Sequence, residues 1–226
     1  MADVVGLVGY QQMSVEDIVG AAGVSRRTFY DNFKSKEDAF LTAYDEIGTE
    51  LVLAVKQAYD ASETLPQGVI ACLQAFLEFV ASVPDYADMC IVEVLAAGPA
   101  ALGRRDAVMK AMTDLLQRGA ETMQDGIGPP QLTAETILGG IYEIAYSRIL
   151  EGKTAQLPEL LPDLAYSVLL PYVGHTKAEQ MTERLRAPER IPERPRRAAR
   201  PGRRRIARPT PRIRHARTSR VPPGTA

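Results

Sequence analysis

The chain predicts an all-α body followed by a disordered basic tail, and three observations carry that prediction. Apolar residues recur at spacings of three and four through residues 1–183, and the alternating β-branched runs of strands are missing. Gly and Pro punctuate the pattern at short intervals, as packed helices with brief connections require. Charge divides the chain unevenly: residues 1–183 hold 12 Lys and Arg against 26 Asp and Glu, a net of −14, whereas residues 184–226 hold 15 Arg against Glu189 and Glu193, a net of +13. The overall charge of −1 therefore describes neither part.

Taken in order, the elements follow from periodicity and punctuation. From Ser35 the set Phe40, Ala43, Tyr44, Ile47, Leu51, Ala54, Val55 and Ala58 keeps one face for about six turns, which predicts one long helix. A second helix is expected over 65–83, ending at Pro84, and a third over 86–97, stopped by Gly98-Pro99. Further helices are expected over 100–123, 134–150 and 159–172. After Gly174 the pattern fades, and after Leu185 it gives way to Arg, Pro and Ala. Such a composition cannot bury enough apolar surface to offset chain entropy, so residues 184–226 are expected to be disordered.

Ahead of the long helix lies a more specific pattern. Ser14 followed by Asp17 reads as a capping box, and Val15, Ile18, Val19 and Ala22 form an apolar stripe. Gly23 supplies a residue that accepts positive φ at the helix end, and Ser25 caps a second short helix. Two short helices about a tight Gly turn make a helix-turn-helix. At about 100° per residue Phe29 and Phe33 share an inward face, which turns Arg27, Asp31 and Lys34 outward with Thr28 and Tyr30 on the flanks. Between Ser25 and Lys36 there are four basic residues and one acidic, in an otherwise acidic body. A local cationic patch of this kind suits phosphate, although a charged face is also simply a solvated one.

The stretch Gly9-Tyr10-Gln11-Gln12-Met13-Ser14-Val15-Glu16-Asp17-Ile18, with Ala22-Gly23-Val24-Ser25-Arg26-Arg27-Thr28-Phe29-Tyr30-Asp31-Asn32-Phe33-Lys34-Ser35-Lys36-Glu37, closely resembles the DNA-binding segment of TetR/AcrR-type transcriptional regulators. The resemblance implies a helix-turn-helix DNA-binding domain at 1–40, a helical effector-binding and dimerisation domain at 41–183, and a tail at 184–226 outside the family pattern. It implies a homodimeric, cytoplasmic regulator, more often a repressor, that binds a palindromic double-stranded operator and answers to a small-molecule effector. The DNA-contacting residues would be Ser14, Ser25, Arg26, Arg27, Thr28, Tyr30, Lys34 and Lys36. Arg26 or Arg27 can fork onto guanine, Thr28 can meet a thymine methyl or a base, and Tyr30 and Lys36 suit phosphate.

The resemblance also places the dimer interface on the last two apolar helices, at Ile137, Gly140, Ile141, Ile144, Leu161, Leu164 and Val168. Packing within one chain is the competing reading. Candidates for the effector pocket, or for ordinary core, are Phe76, Phe79, Met89, Glu93, Met109, Met112 and Tyr146. Only eight residues, none of them Lys or Arg, precede Gly9. The family pattern has a fuller first helix there, so either the start lies upstream or that helix is stunted. A helical ligand-binding or scaffold protein with impaired DNA binding is thus the alternative.

No enzyme is expected. No His precedes His175, and neither nucleophile-base nor metal-ligand spacings are found, so no catalytic residue, metal or cofactor is predicted. Cys72 and Cys90 read as reduced core thiols. The apolar stretches are broken by charges before the ~20 residues of a membrane span, so no membrane partner is expected.

Overall fold

The computed structural model describes residues 1–121 and 132–186. Ten α-helices are found among them and no strand: α1 (Ala2–Val8), α2 (Val15–Ala22), α3 (Arg26–Asn32), α4 (Lys36–Asp60), α5 (Leu65–Ser82), α6 (Pro84–Ala87), α7 (Pro99–Glu121), α8 (Leu132–Leu150), α9 (Leu161–Val173) and α10 (His175–Arg186). The all-α expectation therefore stands. The helix ends are set by local chemistry. Ser14, Ser25, Ser35 and Thr64 each accept a hydrogen bond from the backbone N–H three residues on, and Gly23 closes α2 with φ 66°.

Two apolar cores organise the body. The N-terminal core joins Val5 of α1, Met13, Ile18, Phe29 and Phe40 to Met89, Val94 and Ala101. The larger core joins Leu73 and Leu77 of α5 to Ile91, Ile141 and Ala145 of α8, and Leu164, Val168 and Leu169 of α9. By length and composition α5 alone is apolar enough for a membrane span, among the described residues. Here it packs against α4, α9 and residues 154–160.

The third predicted helix is not regular. After the single turn of α6 the backbone forms a π-helical turn at Asp88–Val92 and a 3₁₀ turn at Glu93–Leu95. The physical reason lies in the two cores. At about 100° per residue, Val94 in an uninterrupted α-helix would share the Ala87 and Ile91 face, with Met89 opposite. A π-turn inserts about one extra residue and sets back everything after it by about 100°, which swings Val94 to the side of Met89. Ala87 and Ile91 thus enter the larger core while Met89 and Val94 enter the N-terminal one.

At the other end α10 runs to Arg186, three residues into the segment expected to be tail. The rest of that tail lies outside the described residues.

Candidate nucleic-acid interface and ligand cavity

On α3 the inward face is Phe29, 3% exposed, with Phe33 stacked obliquely on it at 5.4 Å between ring centroids. That orientation leaves Arg26, Arg27, Thr28, Tyr30, Asp31 and Lys34 exposed. Their surroundings differ. Arg26 pairs with Glu16 of α2, which ties its guanidinium across the turn. Arg27 makes no hydrogen bond or ion pair among the described residues. Ser25 accepts the Thr28 N–H at 3.0 Å and shares a hydroxyl hydrogen bond with Thr28 at 2.9 Å. Tyr30 is half exposed, edge-on to Phe29.

Two sequence-predicted contacts lie deeper in the fold. Lys36 Nζ donates to the carbonyls of Tyr10 and Met13, at 2.9 Å each, and sits 4.5 Å over the Tyr10 ring. It fastens α4 to the turn between α1 and α2. Ser14 completes a reciprocal capping box with Asp17, and its hydroxyl donates to Asp17 Oδ2 at 2.6 Å.

The second site is a partly open cavity of about 190 Å³ lined chiefly by α4, α5, residues 83–91, α7 and α8. Its walls follow helical stripes: Tyr44, Ile47, Leu51, Val55 and Tyr59 on α4, and Arg105, Val108, Met109, Met112, Leu115 and Leu116 on α7. Of the residues suggested by the sequence, Phe76, Phe79, Met109 and Met112 line it. The other three are placed elsewhere. Met89 is fully buried in the N-terminal core, Glu93 accepts the Tyr10 N–H at 2.6 Å, and Tyr146 packs against the larger core. Tyr44, Arg105 and Tyr142 also line the cavity and were not among the residues the sequence suggested for it. The available signal was an arginine heading an apolar stripe at i, i+3, i+4 and i+7.

Burial shapes the chemistry of the lining. It pushes the Cys72 thiol up to about 11 and the Cys90 thiol up to about 12, and it raises Tyr44 and Tyr142 above the usual tyrosine range. Such thiols are poor nucleophiles. No group of His, Cys, Asp or Glu arranged to hold a metal occurs among the described residues.

Of the suggested interface residues, Ile141, Leu164 and Val168 are buried within the chain, at 9%, 7% and 3% exposure. Ile137 and Leu161 are half-buried against the same core. Gly140 and Ile144 lie instead on the exposed stripe of α8, with Leu132, Gly139 and Leu150.

A short helix-turn-helix packed on a helical body that holds an apolar cavity is the architecture these residues define. Residues 2–43 match the model of the family described as bacterial regulatory proteins, tetR family. No curated protein matches the chain. Among solved structures, the fatty acid degradation regulator FadR from Bacillus halodurans is similar at 19% identity and TM-score 0.67, covering 74% of this chain and 93% of its own. FadR from Bacillus subtilis, solved in complex with stearoyl-CoA, is 17% identical at TM-score 0.64, covering 76% and 94%. A TetR-like regulator from Rhodococcus sp. RHA1 is 23% identical at TM-score 0.60, covering 74% and 90%. About three quarters of the chain has the fold of these structures.

Proposed function

We propose that the chain is a cytoplasmic, homodimeric transcriptional repressor that reads a palindromic operator and is released by a small, largely apolar effector. The observation that carries this reading is residues 84–95. Ala87 and Ile91 line the cavity while Met89 and Val94 fill the core beneath α2 and α3. An occupant that displaces one face of this segment shifts the support of the other. A coupling of about 1–3 kcal/mol between the two sites is typical of such linkage.

Arg27, Thr28 and Tyr30 are the residues best disposed for base and phosphate contact, with Ser25 and Lys34 beside them. Two such helices, related by a two-fold axis, would enter successive major grooves. For the dimer, the exposed stripe of α8 offers Gly140 and Ile144, where small and apolar side chains permit close approach. The stearoyl-CoA bound to Bacillus subtilis FadR supports an acyl compound as the effector class.

The test is a footprint on the DNA flanking the chain's own gene, repeated with acyl compounds. A protected near-palindrome that opens on addition of an acyl compound is the expected result. Absence of any sequence preference would overturn the reading in favour of a ligand-binding protein without an operator. Separately, Gly140→Arg with Ile144→Arg should give a folded monomer by mass. A persistent dimer would move the interface off α8.

A further inference from the structure

We infer that the cavity takes its ligand as a long-chain carboxylate, with the acid head held by Arg105 and the chain laid toward Leu116. The inference deepens the acyl-effector reading and rests on it. Arg105 is the one charged side chain in the lining, among the described residues. Its guanidinium carbon lies 4.3 Å over the Tyr142 ring, and its Nη1 donates to Oδ1 of Asp106, an exposed carboxylate, at 2.8 Å. Nε is different: it is buried and has no hydrogen-bond partner among the described residues. A buried donor left unsatisfied is unfavourable, and a group that satisfies it is correspondingly favoured. Turned toward an entering carboxylate, the guanidinium edge that carries Nε would offer two parallel N–H groups, the geometry that a carboxylate accepts.

Position supplies the rest. Arg105 lines the cavity near Tyr44 and Tyr142, and its positive charge works against the burial that raises both tyrosines. From there the lining of α7 continues through Val108, Met109 and Met112 to Leu116, about 16 Å at the helical rise. The α4 wall runs alongside from Tyr44 to Tyr59, about 22 Å. The far end is lined by Tyr59, Leu65 and Leu116, with no charged group in the lining there among the described residues. One cationic head site on a narrow apolar slot matches an amphiphile with a single anionic end. The guanidinium stands at the end nearest the N-terminal core, since Tyr44 belongs to both the cavity wall and that core.

The experiment is calorimetric titration of the full chain, wild type and Arg105→Gln, with palmitate, methyl palmitate and palmitoyl-CoA. Palmitate should bind the wild type, and Arg105→Gln should weaken it at least tenfold while leaving methyl palmitate unchanged. The retained ester binding shows that the variant's cavity is intact. Arg105→Lys, which keeps the charge but not the fork, should fall between the two. Equal affinity of acid and ester for the wild type overturns the head assignment. Tightest binding of palmitoyl-CoA, indifferent to Arg105→Gln, also overturns it and leaves the acyl-effector reading standing. If none of the three binds the wild type, both fail.

Discussion

The two halves of α4 answer to different demands. Its first half, through Ala39, Phe40 and Tyr44, closes a small core in which Phe40 has no exposure at all. Its second half presents Leu51, Val55 and Tyr59 to open space. One continuous helix, about 37 Å long over its 25 residues, thus joins a tightly packed core to an underfilled one. The comparison teaches that apolar periodicity reports which face is turned inward without reporting what fills the inside. A domain that holds a recognition helix in place needs close packing, and one that admits a ligand needs vacancy.

The largest expected effect breaks the comparison if it fails. Phe40→Ala removes a ring from the closed core and should destabilise the protein by about 3–5 kcal/mol. Leu51→Ala, on the cavity wall, loses fewer packed neighbours and should lower stability by about 1–2 kcal/mol. Urea unfolding measures both. Equal losses would mean that the cavity collapses onto its walls and that the two halves of α4 are packed alike.

Next in size is the chemistry of the lining thiols. Folding raises Cys72 from its ordinary value of 9.0 to about 11, so at pH 8 its thiolate is about a hundredfold scarcer than in the unfolded chain. Alkylation of the native protein should therefore be slower than that of the urea-unfolded chain by about that factor. The sign of the pH dependence follows. Raised thiol values favour the folded state at low and neutral pH, and this contribution is lost as pH rises from about 9 through about 11 and 12. Native alkylation as fast as that of the unfolded chain would show that solvent reaches the cavity freely.

Around the helix-turn-helix, Arg27 and Lys36 sharpen the contrast between surface and support. Arg27→Ala should weaken operator binding by about 1–3 kcal/mol and relax one base position. Lys36→Ala should instead lower the melting temperature, because two carbonyls lose their donor, and weaken all DNA sequences alike through the loosened turn. An unchanged melting temperature for Lys36→Ala would return that lysine to a purely phosphate-facing role.

Much of this was legible in the sequence. The capping residues Ser14 and Ser25, the turn at Gly23 and the inward pair Phe29 and Phe33 depend on contacts within a few residues, and each appears where the pattern placed it. The irregular segment 84–95 was not legible, because its phase shift answers to two cores built from distant parts of the chain. For the same reason Glu93 looked like a cavity residue until Tyr10, 83 residues away, came to lie beside it. Arg105 was overlooked because a single cation on an amphipathic helix usually belongs to the solvated side.

The smallest expected effect concerns Ser14, where surface and support meet in one side chain. As an N-cap its replacement by Ala should lower stability by about 1 kcal/mol. The Ser14 hydroxyl, and after it the Ser14 N–H, hold the Asp17 carboxyl below the usual range. A depressed acid stabilises the fold above its unfolded value and ceases to do so as pH falls through its folded one. The difference between Ser14→Ala and wild type should accordingly shrink below about pH 4, where the carboxylate takes up its proton. With its hydroxyl hydrogen directed at Asp17, Ser14 has only acceptor capacity left for an outside partner, and a phosphate oxygen accepts rather than donates. The variant should therefore lose affinity for operator and random DNA only in step with its stability, with an unchanged salt dependence. A larger loss on DNA than on melting would show that Ser14 turns its hydroxyl outward when a phosphate is present, giving up the cap for the contact.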